Sequence, residues 1–173
     1  MTTMLSVFMA ILLQVFAYAA DVSVVESSSV TNAEKSGQVG LGLAVGSLIG
    51  LSAQYWVDND HALNATFATE HGNAALSAAH LWLFRGAFGD SSREATSFLP
   101  YIGAGAIAAF GTQSDYFTRN NRNTAIAAQL PLGIEFLPIL QRFDIFAEVA
   151  PSLEITPTVV GFLTALVGAR FYF

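Results

Sequence analysis

From Leu51 to Val57 the chain changes character at every step: Leu51, Ala53, Tyr55 and Val57 alternate with Ser52, Gln54 and Trp56. A period of two places alternate side chains on opposite faces of a strand, whereas a helix would wrap the serine and the glutamine around into its apolar face. The same rhythm returns four more times. Leu63, Ala65 and Phe67 alternate with Asn64, Thr66 and Ala68, just after the turn residues Asp58-Asn59-Asp60. Leu130, Leu132, Ile134 and Phe136 alternate with Gln129, Pro131, Gly133 and Glu135. Phe143, Ile145, Ala147 and Val149 alternate with Asp144, Phe146, Glu148 and Ala150. Finally Leu163, Ala165, Val167, Ala169, Phe171 and Phe173 alternate with Thr164, Leu166, Gly168, Arg170 and Tyr172. Every carboxylate in these runs falls on the face that also carries the other polar residues.

A helical alternative competes for Gln38 to Val57, twenty residues without a charge and with Gly42, Gly46 and Gly50 at the spacing of packed membrane helices. The alternation within its second half decides for strands. Eight such segments are expected: Gln38 to Gly46, Leu48 to Val57, His61 to Glu70, Ala74 to Phe84, Phe98 to Phe110, Thr124 to Phe136, Phe143 to Ile155 and Thr158 to Phe173. Strands of about ten residues cross a bilayer at the usual tilt. An even number closes into a barrel with no free edge in hydrocarbon. The expected fold is therefore an all-β, closed, antiparallel eight-stranded transmembrane β-barrel, with an apolar face toward lipid and a polar face toward the interior.

Composition agrees with that reading. With 53% hydrophobic and 12% charged residues, the chain carries more apolar material than a water-exposed surface accommodates. Seven Lys and Arg against thirteen Asp and Glu, with no basic stripe, argue against a nucleic-acid partner. There is no cysteine, so neither disulfides nor thiolate metal sites stabilise the fold. The three histidines are scattered and no acidic run has calcium-loop spacing, so neither a metal nor a cofactor is expected. At the N-terminus, the apolar run Leu5 to Phe16 followed by Ala17-Tyr18-Ala19 has the form of a cleaved signal peptide. The expected organisation is a signal peptide over 1–19, a flexible periplasmic leader over 20–37 and the barrel over 38–173.

With both barrel ends placed in the periplasm, Tyr55, Tyr101, Phe136, Phe143, Phe171 and Phe173 fall near the periplasmic strand ends, where an aromatic girdle belongs. Arg85 to Ser97 is then a long connection on the side where turns are usually short. The loop Gly111 to Asn123 faces outward. Its Tyr116, Phe117, Arg119 and Arg122 combine aromatic and cationic groups suited to an extracellular ligand or to lipopolysaccharide phosphates, or read more simply as a solvated loop at the interface.

Four stretches carry a resemblance: GLGLAVGSLIGLSAQYWVDNDHALNATFA at 40–68, LPYIGAGA at 99–106, LPLGIEFL with DIFAEVAPSLEI across 130–155, and the terminal VGARFYF. Together they resemble a family of uncharacterised small bacterial outer-membrane β-barrel proteins, similar in shape to the OmpA transmembrane domain and OmpX. The resemblance implies a bacterial outer-membrane location, contact with outer-membrane lipids and lipopolysaccharide, and, through Phe171 and Phe173, a C-terminal aromatic signal read by the barrel assembly machinery. It transfers no catalytic residue, because fold does not carry function.

An eight-stranded barrel is just wide enough to be filled by side chains. The inward polar residues Gln54, Asn64, Glu135, Asp144, Glu148 and Arg170 are expected to form a network, with Arg170 engaged by one or more of the acids, since a buried charge left unpaired is costly. The expected function is a structural or surface-interaction role with a side-chain-filled lumen. A narrow ion or small-solute channel is the alternative, and a membrane-embedded lipid-modifying enzyme a more distant one. For the last, His80 with Asp90, Ser91 and Ser92 supplies the residue types of a hydrolase triad without a recognisable oxyanion-hole motif, so no enzyme is expected. His61 and His71, near turns, read as solvated.

Overall fold

A computed structural model of the chain describes residues 36–70, 73–85, 87, 98–111, 124–137, 142–156 and 159–173. The proposed signal peptide, nearly all of the leader, and the loop residues Tyr116, Phe117, Arg119 and Arg122 lie outside the described residues, as do His71, Asp90, Ser91 and Ser92. The described part is all strand and turn: β1 (Val39–Gly46), β2 (Ile49–Trp56), β3 (His61–Glu70), β4 (Asn73–Leu83), β5 (Phe98–Phe110), β6 (Thr124–Gln129), β7 (Leu132–Phe136), β8 (Phe143–Thr156) and β9 (Val160–Tyr172).

All pairings are antiparallel, and the sheet closes because β1 pairs with both β2 and β9, while β5 and β8 each pair with both β6 and β7. β6 and β7 therefore occupy one position of an eight-membered ring. The sequence-based reading treats Thr124 to Phe136 as a single strand; the division falls at Pro131, which has no N–H to donate to the ladder, although Pro151 within β8 divides nothing. Alternation runs through the break unchanged, with Gln129 and Pro131 buried and Leu130 and Leu132 exposed. The remaining boundaries fall within about two residues of the sequence expectation, an ordinary uncertainty for strand ends.

Following directly paired residues around the ring from Arg170, through Gly42, Ser52, Thr66, Ser77, Ile107, Ala127 and Glu154, leads to Val160, ten residues earlier in the same strand. That offset is the stagger a closed barrel requires, and it tilts every strand against the barrel axis. It also brings to one height residues that are far apart in the ladder. We call the rim where β1 begins and β9 ends the lower rim, and the opposite one the upper rim.

The outer wall is apolar and exposed: Leu43, Ile49, Leu51, Leu63, Ile145, Leu153, Leu163 and Val167 are all among the exposed large hydrophobics. Such a surface is stable against hydrocarbon and not against water. Tyr55, Phe136, Phe143, Phe171 and Phe173 lie on the outer face near the lower rim, joined by Trp82, Phe84 and Phe98, and Phe98 stacks on Phe136 at 4.9 Å between ring centroids. Tyr101 departs from the expected girdle. It lies on the inward face of β5 and is only 4% exposed, because the residue pattern Tyr101-Gly103-Gly105 points in while Ile102 points to lipid.

Inside, the two halves are filled differently. The lower half packs Trp56, Leu81, Leu83, Leu99, Tyr101 and Tyr172 into one apolar cluster. The upper half is lined mainly by alanines (Ala68, Ala75, Ala109, Ala125, Ala127) packed with Leu48, Ile107, Phe162 and Leu166.

Candidate functional site: an ionic layer across the lumen

The polar residues singled out in the sequence all point inward, and four of them meet. Arg170, on β9, lies directly opposite Asp144 on β8, and its Nε donates to both Asp144 carboxylate oxygens at 3.1–3.2 Å. Its Nη2 donates to Glu135 Oε1 on β7 at 2.8 Å, and its Nη1 donates to Gln54 Oε1 on β2. The guanidinium lies over the Phe146 ring, 4.1 Å from its centroid. The Tyr172 hydroxyl, two residues along, donates to Asp144 Oδ2. Both ion-paired side chains of each bridge are fully buried. A buried guanidinium is tolerable only when its fork of donors is used, and here the fork spans three strands.

Small residues opposite large ones make the layer possible. A Cβ on Gly40 would lie 2.6 Å from the Tyr172 ring, and one on Gly168 would lie 2.5 Å from the Phe146 ring. Both glycines thus leave room for rings that hold the ionic layer in place. Gly133 does the same for Tyr101, whose hydroxyl would collide with any side chain there.

Glu148 and Asn64 lie in the same lumen but take other partners. Glu148 Oε2 accepts from the Tyr101 hydroxyl at 2.9 Å. Asn64 donates weakly to Gln54 Oε1 at 3.5 Å and accepts from Thr66 at 3.4 Å. Of the three acids facing Arg170 in the sequence-based reading, the described hydrogen bonds bring two to it and give the third to a tyrosine. Above this level, an interior cavity bounded by Thr66, Ser77, Gln129, Glu148 and Thr164 has about 10 Å³, room for about one water molecule. Nearer the upper rim Glu154 is 2% exposed, and its Oε1 has no hydrogen-bond partner among the described residues.

Two features of the lower rim have no counterpart in the sequence-based reading. Arg85 reaches back to the turn between β2 and β3: its Nε donates to the Asn59 carbonyl at 2.6 Å, and its guanidinium lies 5.5 Å from the centre of the Trp56 ring. His61, expected to be solvated, is 42% exposed and is also tied through Nδ1 to Asp58 Oδ2 at 3.0 Å, 5.5 Å from the His80 ring. His80 is on the outer wall, 4.8 Å from Trp82, and not in the lumen. Among the described residues no group of three or more His, Cys, Asp or Glu could hold a metal ion. The one local signal for the His61 arrangement is Asp58 three residues earlier, where its other oxygen caps the turn by accepting from the Asp60 and His61 amides.

The sequence matches no protein-family model, and no curated protein is similar to it in sequence. Solved structures do resemble the fold. The N-terminal β-barrel domain of Pseudomonas aeruginosa OprF superposes with a TM-score of 0.57 at 17% identity, covering 79% of this chain and 96% of that one. Neisserial surface protein A (TM-score 0.48, 16% identity, 79% and 94% covered) and the Yersinia pestis outer membrane protein Ail (TM-score 0.45, 18% identity, 79% and 97% covered) are similar at lower scores. The chain has the fold of the small eight-stranded outer-membrane barrels.

Proposed function

We propose that this chain is an integral protein of a bacterial outer membrane that acts as a sealed anchor, with its biological contacts made by its surface connections and its lipid-facing wall. The observation that carries the reading is the occluded lumen: Arg170, Asp144, Glu135 and Gln54 bridge it, with Trp56, Leu83, Leu99 and Tyr172 packed as an apolar plug in the same lower half. A hydrated path needs polar walls wide enough for water, and the cavity above the bridge has room for about one molecule. Catalysis is disfavoured by the placement of His80 on the outer wall beside Trp82, since a triad needs its base aimed at a nucleophile.

In this reading the lower rim faces the periplasm, the proposed signal peptide over 1–19 is removed during export, and 20–37 is a leader. Outer-membrane lipids, and lipopolysaccharide at the loop carrying Tyr116, Phe117, Arg119 and Arg122, are the partners, and Phe171 and Phe173 present the signal to the assembly machinery. The Phe171 and Phe173 rings, 5.2 Å apart and edge to face, stand exposed on the outer wall where such a signal would be accessible. The test is planar-bilayer recording of the purified full chain. No stepwise conductance is expected, and stable conductance steps that respond to Arg170→Met would replace the sealed anchor by a channel.

A further inference from the structure

The lumen takes in more negative charge than the ionic layer balances. Asp144, Glu135, Glu148 and Glu154 all lie on its inner face, and among the described residues Arg170 is the one cation that hydrogen-bonds to any of them. Its fork is spent on Asp144, Glu135 and Gln54. Glu148 receives one described hydrogen bond, from the Tyr101 hydroxyl to Oε2, and none reaches its Oε1. A carboxylate in such a place is costly unless a proton or a cation neutralises it.

The cavity above the ionic layer lies against this carboxylate. It measures about 10 Å³, is bordered by Glu148, Thr66, Ser77, Gln129 and Thr164, and is closed above by the apolar cluster of the upper half. Its wall is rich in lone pairs and poor in protons. Thr66 Oγ1 donates its proton to Asn64 Oδ1, and Thr164 Oγ1 donates its proton to the Ala150 carbonyl, so both hydroxyls have only acceptor capacity left. The Gln129 side chain is 6% exposed and has no hydrogen-bond partner among the described residues, which leaves its carbonyl oxygen to serve the cavity. A water molecule there meets more acceptors than its two protons can serve, whereas a cation needs lone pairs alone.

We propose that this cavity is a binding site for one bare monovalent cation of sodium size, held by the Glu148 carboxylate with the hydroxyls of Thr66, Ser77 and Thr164 and the Gln129 carbonyl. All five ligands are hard oxygens, the donor set of alkali and alkaline-earth ions rather than of transition metals. A single carboxylate balances a single positive charge. A divalent ion would bring a second charge into the lumen without a partner, and calcium takes more oxygens than this wall supplies. Space for one water admits a sodium ion and excludes one that keeps its hydration shell. The ligands come from β3, β4, β6, β8 and β9, so they converge only in the closed ring. The cation therefore binds the folded chain and not the unfolded one, and it adds a third closed layer above the guanidinium.

The test is urea unfolding of the purified full chain in lipid vesicles at constant ionic strength, with sodium chloride exchanged stepwise for choline chloride, whose cation is too bulky for the cavity. A ligand that binds only the folded state raises the folded-to-unfolded ratio, by about tenfold for each tenfold rise in sodium above its dissociation constant. The wild type should show this rise. Glu148→Gln keeps an acceptor for Tyr101 and removes the charge, and its ratio should not respond to sodium. Glu154→Gln removes a lumen carboxylate that does not border the cavity, and it should respond as the wild type does. If Glu148→Gln does not refold, Thr164→Val takes its place, with the response shifted to about tenfold higher sodium for the loss of one contact to a charge. A wild type equally stable in sodium and in choline overturns the proposal, in favour of a proton on Glu148 or a water in the cavity. A Glu148→Gln variant that keeps the response overturns it too. Loss of the response in Glu154→Gln as well as in Glu148→Gln overturns it in favour of diffuse attraction to the net charge of the lumen.

Discussion

Replacing Arg170 by Met tests the ionic layer directly. Methionine approximates the volume of the arginine stem and cannot donate, so Asp144 and Glu135 are left facing each other across a fully buried space with the guanidinium gone. Breaking a buried pair by removing one partner costs about 3–5 kcal/mol, because the charge left behind is uncompensated. Three lost donor contacts and two carboxylates deprived of their guanidinium place this variant toward the upper end of that range. Each 1.4 kcal/mol is about tenfold in an equilibrium constant, so the ratio of folded to unfolded barrel should fall by roughly a hundredfold or more. Denaturant unfolding in lipid vesicles, followed by tryptophan fluorescence, reads this well: Trp56 is fully buried in the lumen, whereas Trp82 is on the outer wall. The companion variant Arg170→Met/Asp144→Leu/Glu135→Met removes all three charges, and replacing a buried ionic set by apolar residues of similar volume is often nearly neutral. The triple variant should therefore recover most of the loss. An Arg170→Met variant destabilised by less than about 1 kcal/mol, or a triple variant as weak as the single one, would refute the account of the layer as a mutually dependent charge cluster.

Tyr101→Phe removes the donor to Glu148 and leaves that carboxylate unsatisfied in the lumen; a loss of about 1–3 kcal/mol is expected in the same unfolding assay. Gly168→Ala drives a methyl into the Phe146 ring and against the Leu43 carbonyl, which is backbone and cannot step aside, so a similar destabilisation of about 1–3 kcal/mol is expected, with Ala169→Gly as a nearby control without the clash. The amide of Asp60, above all, together with that of His61, holds the Asp58 carboxyl below the ordinary aspartate value of 3.8. Because the folded value is the lower one, the carboxylate's contribution is present above about pH 3.8 and is lost as pH falls through the folded value. The stability difference between wild type and Asp58→Asn should accordingly shrink on acidification below that point, and a difference that is flat with pH would contradict the cap.

What the sequence made legible was the face of each residue. In a lipid-facing barrel the bilayer dictates the outer residues and the narrow interior dictates the inner ones, so alternation alone placed Gln54, Glu135, Asp144 and Arg170 inside. It could not say which acids reach Arg170. Glu135 on β7 reaches Arg170 on β9 through the stagger of the closed ring, which is not a property of any one segment, whereas Glu148 lies on one rung with Tyr101, both paired with Gly133, whose missing side chain lets the two meet. Tyr101 was misplaced because tyrosine suits both a lipid interface and a polar interior. Its neighbour Gly103 on the same face was the available hint. The break at Pro131 was only half legible, since a proline lacks its ladder donor but Pro151 sits within β8 without dividing it. Arg85 was not, for it lies in a connection, and its contacts with Asn59 and Trp56 arise from the pairing of β2, β3 and β4 rather than from any local pattern.

The seam between β1 and β9 gives the arginine a second meaning. From Gly40↔Tyr172 to Gly46↔Leu166, the glycine-rich first strand leaves the inner space that the last strand fills. Arg170 reaches Gln54 only across that seam, and Asp144 and Glu135 only across the other side of β9. A sheet that entered hydrocarbon with its ends apart would hold the charge cluster incomplete and its edges bare. The guanidinium therefore works as a clasp: it is fully engaged only in the finished cylinder, and this makes half-assembled barrels poor stopping points on the way to it.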